Sequence, residues 1–241
     1  MSDSCRCISM GTRGVLVMMA KAPRIGAVKT RLMSALSAKD ATELYRCLLL
    51  DTLALAASLS EVDVAIMCPP ADIDALKLLA GAHVDTIAQA GEGLASGLAS
   101  VFAHFTGDQP RPTLAFNSDS PHLPRRTLVA AFEMLRKHDL VVGPTHDGGY
   151  YLVGAKSSHP ELFAAAAMGT SSALQTLLKR AASLDLSVGF TELFYDVDVA
   201  GDLAMLAAEL QRNPERAPRT AEWLFSYDVR PSLTSKTSAA P

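Results

Sequence analysis

The sequence carries little excess charge of either sign and has no long basic run. Its 241 residues include 22 Lys and Arg and 25 Asp and Glu, for a formal net charge of -3. Nucleic-acid surfaces need clustered positive charge, so we expect no nucleic acid among the partners. Long apolar runs are also missing, since Val15 to Ala20 is too short for a signal-peptide core or a membrane span. These absences favour a cytoplasmic protein without a membrane span.

Zinc-ligand spacing and a hydrolase nucleophile motif are absent as well. The four cysteines are Cys5, Cys7, Cys47 and Cys68. The spacing of the cysteines is typical of reduced thiols in a cytosolic protein. The six histidines are scattered along the chain and also lack the spacing of zinc ligands. Ser118 and Ser120 lack the flanking glycines of a nucleophile elbow. We therefore expect no disulfide framework, no zinc site and no Ser-His-Asp triad.

What the sequence does contain is an alternation of short apolar strands and longer helical segments. With 49% hydrophobic residues, it can bury a sizeable core. We predict one α/β domain over residues 14–225 and flexible tails at 1–13 and 231–241. The predicted strands are 14–20, 62–68, 84–88, 113–116, 139–143, 150–153 and 186–190. The predicted helices are 40–59, 73–79, 98–105, 125–137, 201–211 and 220–225, with further helices within 160–185, one of them starting at Gly169-Thr170-Ser171-Ser172.

A cationic loop follows directly after the first strand. The four cations of this loop are Lys21, Arg24, Lys29 and Arg31, and it also contains Pro23 and Gly26. Glycine lets backbone N–H groups approach a ligand, and the cations can neutralise phosphate charge, so the loop predicts an anion site. The spacing of a Walker loop or a dinucleotide fingerprint is absent. The alternative is an ordinary solvated basic loop.

Asp119 follows the most central predicted strand, 113–116, and Pro121 prevents that strand from continuing. A carboxylate just past the C-terminal end of a central parallel strand lies where open α/β sheets bind ligands. The alternative is that Asp119 only caps the following turn. We consider both readings open from these residues alone.

Two further polar segments follow later strands. The sequence Asp147-Gly148-Gly149-Tyr150 demands an unusual backbone and favours close approach of a substrate. Asp196 and Asp198 are one residue apart, so they project to the same side of an extended chain and could face one metal ion. Capping of the helix that starts near Gly201 is the alternative for Asp198.

Four motifs occur in order and resemble one bacterial family. They are Lys21-Ala-Pro-x-x-Gly26-x-Val-Lys29-Thr-Arg31-Leu, Ser118-Asp119-Ser-Pro121-x-Leu, Gly143-Pro-x-x-Asp147-Gly-Gly-Tyr-Tyr-Leu and Asp196-Val-Asp198. Over residues 14–212 the chain resembles the DUF2064 group of glycosyltransferase-like proteins. The Lys-Thr-Arg-Leu segment is also similar to that of the 2-phospho-lactate guanylyltransferases. The resemblance implies a GT-A type fold, which is a three-layer α/β/α sandwich with a mostly parallel, mixed sheet.

The resemblance also implies roles for individual residues. Lys21, Lys29, Arg31 and Asp119 would be catalytic, with Asp119, Asp196 and Asp198 holding Mg²⁺ or Mn²⁺. The nucleotide- or substrate-binding residues would be Ala22, Pro23, Gly26, Gln89, Gly91, Ser118, Ser120, Asp147, Gly148, Gly149 and Tyr150. Where relatives read Gln-x-Gly-x-Asp-Leu-Gly-x-Arg, this chain has glycine at the Asp and Arg positions, Gly93 and Gly97. Loss of the Arg removes a bidentate grip on phosphate or carboxylate.

We therefore predict a metal-dependent nucleotidyltransferase that joins an NTP to a small phosphorylated acceptor and releases pyrophosphate. A glycosyltransferase with a nucleotide-sugar donor is the alternative, and a non-catalytic nucleotide-binding protein is a third. The cationic loop carries more positive charge than a diphosphate needs, which favours the first. The hypothesis requires Arg31 and Asp119 to share one cleft. The sequence leaves the base, the acceptor and the oligomeric state open.

Overall fold

The protein is built around one mixed sheet of seven strands, seen in a computed structural model. The structure describes residues 13–107, 109–164 and 171–228. Its strands are β1 (Gly14–Met19), β2 (Val62–Cys68), β3 (Asp85–Ala88), β4 (Thr113–Asn117), β5 (Leu140–Pro144), β6 (Tyr150–Ala155) and β7 (Val188–Phe190). They lie in the order β3-β2-β1-β4-β6-β5-β7. Within the described ranges, β6 runs antiparallel to β4 and β5, and the other four strand pairings are parallel.

Helices cover both faces of this sheet. They are α1 (Ala38–Ala57), α2 (Ile73–Ala80), α3 (Gly93–Phe105), α4 (Arg125–Leu135), α5 (Ala173–Ser183), α6 (Ala200–Arg212) and α7 (Pro218–Asp228). One apolar core lies between the sheet and α1, α2 and α4, and a second lies between the opposite face and α3 and α5. A third apolar cluster joins the outer side of α1 to α6 and α7. The predicted three-layer α/β/α sandwich with a mostly parallel sheet is confirmed.

The strand β1 lies in the interior of the sheet because its side chains are apolar on both faces. Val15, Leu16, Val17 and Met18 are each at most 1% exposed, as expected for a parallel strand covered by helices on both sides. The neighbours of β1 are β2 on one side and β4 on the other. The strand order therefore reverses between β1 and β4, and ligands of open α/β sheets bind outside the carboxyl ends of the strands at such a point.

Most predicted elements agree with the structure to within a few residues. The main difference is α3, which begins at Gly93 and not at 98, so the glycine-containing segment forms its first turn. Ser37 caps α1, since its hydroxyl accepts from the Asp40 N–H at 3.1 Å. The 160–185 segment contains a short 3₁₀ helix, Pro160–Phe163, and α5. The predicted helix start at Gly169 and Thr170 lies outside the described residues, as do Cys5, Cys7 and both predicted tails apart from Arg13.

Among the described residues, no helix combines the length and the apolar character needed to cross a bilayer. Cys47 and Cys68 are free thiols. Burial raises the pKa of each to about 11, with smaller contributions from nearby carboxylates. Both side chains therefore stay protonated and poorly nucleophilic at neutral pH.

Candidate active site

A cavity of about 790 Å³ opens at the carboxyl ends of β1, β2 and β4. The loops that follow β1, β3 and β4 meet there, together with the segment before α6. Eight of the residues predicted for the site line this cavity: Lys21, Lys29, Arg31, Gln89, Gly91, Ser118, Asp119 and Asp198. Arg31 and Asp119 therefore share one cleft, as the sequence hypothesis requires. The predicted residues that do not line it are Ala22, Pro23, Gly26, Ser120, Asp147, Gly148, Gly149, Tyr150 and Asp196.

The loop after β1 is anchored by a buried carboxylate. The Ala22 N–H donates to Asp72 Oδ2 at 3.0 Å, and the guanidinium of Arg24 pairs with the other oxygen of Asp72. Arg24 also donates to the Ala71 carbonyl at 2.7 Å. The sequence groups Arg24 with the anion-binding cations, but in the structure it fastens the loop to the segment after β2 and does not line the cavity. The other three cations of the loop, Lys21, Lys29 and Arg31, line the cavity.

Tyr45 was missed by sequence reasoning. Its hydroxyl accepts from the Lys21 N–H at 3.1 Å and lies 3.0 Å from the hydroxyl of Ser118. It thus joins the loop after β1 to the loop after β4, and it lines the cavity. Burial is the main reason that the pKa of this phenol is raised, so Tyr45 stays protonated. In the sequence it is one apolar position of a long helix, and nothing there distinguishes it from a core residue.

Lys29 adopts the left-handed backbone conformation, with φ 49° and ψ 40°. This conformation is uncommon for a residue with a side chain. Its ammonium contacts Asp119 Oδ2 and lies 3.6 Å from Asp198 Oδ1, and the side chain is only 5% exposed. Burial alone lowers the pKa of Lys29, but the charges of Asp119 and Asp198 outweigh it and the net pKa is raised. Lys29 therefore carries a positive charge between two carboxylates.

Asp119 uses one oxygen for Lys29, and its second oxygen, Oδ1, is buried without a hydrogen-bond partner among the described residues. The helix that follows, α4, starts after Pro124 and not after Asp119. A buried carboxylate oxygen without a partner is costly. A cation ligand would satisfy it.

Asp198 pairs with Arg31 at 2.8 Å as well as with Lys29. It does not cap α6, which was the alternative for this residue. The cap is formed by Asp202, whose carboxylate accepts from the N–H groups of Asp198 and Val199 at 2.9 and 2.8 Å. The side chain of Asp198 is therefore left to face the cavity.

Asp196 is partly buried and is close enough to Asp119 and Lys29 to feel their charges. Burial raises its pKa to about 6, and the negative charge of Asp119 adds to the effect. A carboxylate whose pKa is raised by a neighbouring carboxylate favours a bound cation. Among the described residues, no group of three His, Cys, Asp or Glu side chains is arranged to hold a metal by itself. Mg²⁺ commonly uses one or two carboxylates and completes its shell with phosphate oxygens and water, so Asp119 with Asp196 or Asp198 fits such an ion.

The segment from Phe194 to Asp198 rests on an aromatic contact with the loop after β4. His122 is fully buried, and its ring lies 4.9 Å from that of Phe194 and 4.3 Å from that of Tyr195. Neither ring nitrogen has a hydrogen-bond partner among the described residues. Burial, with a smaller contribution from the charge of Arg216, lowers the pKa of His122 to about 3. The ring therefore stays neutral at pH 7 and packs against Phe194 and Tyr195.

The Asp147-Gly148-Gly149 segment forms the turn between β5 and β6. Asp147 Oδ1 accepts from the Thr145 hydroxyl at 2.5 Å and from the Gly149 N–H at 3.1 Å. Gly148 has φ 86°, which explains the glycine. Burial alone would raise the pKa of Asp147, but these hydrogen bonds lower it on balance. Tyr150, which follows this turn, lines a smaller cavity of about 140 Å³ together with Asn117, Ser118 and Asp119. Asp147, Gly148 and Gly149 line neither cavity.

The glycine-containing segment before α3 closes the cavity on the side of β3. The amide of Gln89 donates to the carbonyls of Gly91 and Gly93 at 3.0 and 3.2 Å. At Gly97, an added Cβ would lie 2.7 Å from Met19 Cε and 2.8 Å from Gln89 Oε1. A side chain at position 97 would therefore require the ends of these two flexible side chains to move. Ser120, also predicted for the site, is fully buried, and its hydroxyl has no partner among the described residues.

The chain resembles solved structures over most of its length. A protein from Desulfovibrio desulfuricans G20, provisionally named a nucleotide-diphospho-sugar transferase, is 27% identical and superposes with a TM-score of 0.83 over 90% of this chain and 96% of its own. The 4-diphosphocytidyl-2C-methyl-D-erythritol synthase of Anaerococcus prevotii DSM 20548 is 12% identical, with a TM-score of 0.58 over 84% and 97%. Rv0371c of Mycobacterium tuberculosis H37Rv, in complex with manganese, is 17% identical, with a TM-score of 0.52 over 81% and 98%. The last two show a shared fold.

The family comparison covers the middle of the chain. The model of bacterial proteins described as "Uncharacterized protein conserved in bacteria (DUF2064)" matches residues 52–170. That range contains the Asp119 and Asp147 motifs. No curated protein matches the sequence at a significant level. With the likeness to the Desulfovibrio protein over nearly the whole chain, these findings show the fold of nucleotide-diphospho-sugar transferases and a similarity to the DUF2064 family over the middle of the chain.

Proposed function

We propose that the protein is a metal-dependent nucleotidyltransferase that joins an NTP to a small phosphorylated acceptor and releases pyrophosphate. The observation that carries the proposal is that Lys21, Lys29 and Arg31 line one cavity with Asp119 and Asp198. Three cations suit a triphosphate, and adjacent carboxylates suit the cation that accompanies it. The synthase from Anaerococcus prevotii, whose name denotes a cytidylyl product, has the same fold.

The residues would divide the work as follows. Lys21 and Arg31 are exposed cations at the cavity wall and would bind the β- and γ-phosphates. Gln89 and Gly91, on the opposite wall, would bind the nucleoside. Asp119 would hold Mg²⁺ or Mn²⁺ with Asp196 or Asp198. The metal would supply a Lewis acid that polarises phosphate oxygens and keeps them in line. The turn at Asp147, Gly148 and Gly149 would form one border of the acceptor site.

The transfer itself needs little covalent chemistry from the protein. An oxygen of the acceptor phosphate attacks the α-phosphorus, the bond from that phosphorus to the bridging oxygen breaks, and the electron pair leaves with pyrophosphate. Lys21 and Arg31 neutralise the charge that grows on the leaving group. Holding both reactants in one cleft contributes by orientation. Loss of one such cation is expected to slow turnover by about 10²–10³-fold.

A glycosyltransferase remains the second candidate because the Desulfovibrio protein is named for nucleotide-diphospho sugars. In that reaction the leaving group is a nucleoside diphosphate. The glycines at positions 93 and 97 motivate a third candidate, a nucleotide-binding protein without turnover.

One assay separates the three candidates. Purified protein is incubated with each NTP, Mg²⁺ or Mn²⁺ and a panel of small phosphorylated acceptors, and pyrophosphate is measured. Pyrophosphate formed only with both substrates supports nucleotidyl transfer. Nucleoside diphosphate released from a sugar nucleotide would select the glycosyltransferase, and nucleotide binding without either product would select the third candidate. A thermal-shift screen of nucleotides with and without metal identifies the base beforehand, because a ligand that binds only the folded protein raises its melting temperature.

A further inference from the structure

The ammonium of Lys29 occupies a position between two candidate metal ligands. It contacts Asp119 and lies 3.6 Å from Asp198 Oδ1. These are two of the carboxylates that fit a metal. Of the three cations that line the cavity, Lys29 is the buried one, with 5% of its side chain exposed, whereas the side chain of Arg31 is 62% exposed.

An ammonium and a divalent cation cannot share this position. Both would sit within a few ångströms of the same oxygens, and like charges repel strongly where water is largely excluded. Asp119 has one further buried oxygen, Oδ1, but a metal held there by Asp119 and Asp196 would still bind the carboxylate that Lys29 contacts, and it would lie beside the ammonium. Free metal would therefore have to displace Lys29.

Displacement needs a new partner for the ammonium. Lysine is a point charge on a flexible four-carbon stem, so the head group can move several ångströms while the backbone stays in place. A buried ammonium that loses its carboxylates without gaining another anion is costly. The described residues near Lys29 offer Asp119, Asp196 and Asp198 as anions, and all three are candidates for the metal. A polyphosphate brings the missing negative charge and already carries the metal.

We propose that Lys29 excludes free divalent cation from Asp119 and Asp198, and that the cation enters as its complex with a polyphosphate, whose oxygens take over the ammonium of Lys29. The ligand class of this site is then a metal–polyphosphate chelate, and metal binding depends on the phosphate chain. The inference rests on the proposed function for the identity of the polyphosphate. The exclusion of free metal rests only on the position of Lys29.

The test measures binding of Mn²⁺ alone by electron paramagnetic resonance to the wild type, Lys29→Met and Lys21→Met. Lys21→Met is the matched control, because it removes a charge from the wall of the same cavity. We expect Lys29→Met to bind free Mn²⁺ at least about tenfold more tightly than the wild type, and Lys21→Met to differ much less. Equal or weaker Mn²⁺ binding by Lys29→Met would overturn the proposal.

A second measurement uses the wild type alone, in case Lys29→Met does not fold. The melting temperature is recorded with Mn²⁺, with inorganic tripolyphosphate plus EDTA, and with Mn²⁺ and tripolyphosphate together. We expect a clear rise only for the combination. A rise of the same size with Mn²⁺ alone overturns the proposal. If tripolyphosphate has no effect in any arm but Lys29→Met binds Mn²⁺ more tightly, the exclusion by Lys29 stands, whereas the entry of metal as a polyphosphate complex and the proposed nucleotidyl transfer both fail.

Discussion

Replacement of Asp119 by asparagine tests the centre of the site most directly. The substitution keeps the side-chain shape and one acceptor oxygen but removes the charge that faces Lys29. Lys29 is then left with Asp198, whose nearest oxygen is 3.6 Å away. The amide side chain also lacks the anionic oxygen expected to hold the metal.

The two consequences differ in size. Removing one partner of a buried ion pair costs about 3–5 kcal/mol, and because Lys29 keeps a second carboxylate we expect a loss of roughly 1–3 kcal/mol in the free energy of unfolding. For a domain of this size each kcal/mol lowers the melting temperature by about 2–4 °C. Turnover is expected to fall by about 10²–10³-fold, or ~2.7–4 kcal/mol in the barrier.

Urea unfolding gives the first quantity, and pyrophosphate release with binding of the nucleotide–Mn²⁺ complex gives the second. Asp85→Asn is the matched control, since Asp85 is an exposed carboxylate at the start of β3. It should change stability by no more than about 0.5 kcal/mol. The reasoning is refuted if Asp119→Asn binds the nucleotide–metal complex as tightly as the wild type does.

The anchor at Asp72, the buried His122 and the turn at Gly148 provide three further expected outcomes. Asp72→Ala leaves the Ala22 N–H without its acceptor and should lower the free energy of unfolding, measured in urea, by about 2 kcal/mol. Asp72→Asn keeps an acceptor oxygen and should lower it by about half as much. Equal losses for the two variants would argue against the anchor. His122 stays neutral in the fold with a pKa of about 3, so the unfolded chain binds the extra proton and stability falls by up to about 1.4 kcal/mol per pH unit as the pH drops below about 6.5. His122→Phe should flatten that slope in unfolding curves recorded between about pH 6.5 and 4, and unchanged slopes would contradict the assignment. Gly148→Ala should lower stability by about 1–3 kcal/mol because of its positive φ, while Gly201→Ala, where an added Cβ meets nothing within 4 Å, should not; similar melting temperatures for both would be the contrary result.

Much of the fold could be read from local patterns. The range of β2, Val62–Cys68, is the predicted one, and β1 and β4 differ from prediction by one residue at their ends. Runs that are apolar on both faces have one plausible place, the middle of a covered parallel sheet. The edge of the sheet at which the site lies was also predictable, because charged residues that directly follow parallel strands must meet at the carboxyl ends of those strands. Lys21, Lys29, Arg31 and Asp119 line one cavity for this reason.

Pairing and burial within the site were not predictable in the same way. Lys29 and Asp119 are 90 residues apart in the sequence. Whether one of the four loop cations pairs with Asp119 or faces solvent or a ligand depends on how deeply the loop is buried at the edge of the sheet. Asp72 takes Arg24 out of the set of ligand cations by a similar long-range contact.

The sequence by itself determined the α/β class, the central strands and which loops carry charge, because these follow from local periodicity and from the chemistry of each side chain. Only the tertiary structure decided which of those charges neutralise each other, that Tyr45 joins two loops, and that Asp202 and not Asp198 caps α6. The physical reason is that the free energy of a charge depends on its burial and on its nearest partners, and both are set by residues far away in the chain.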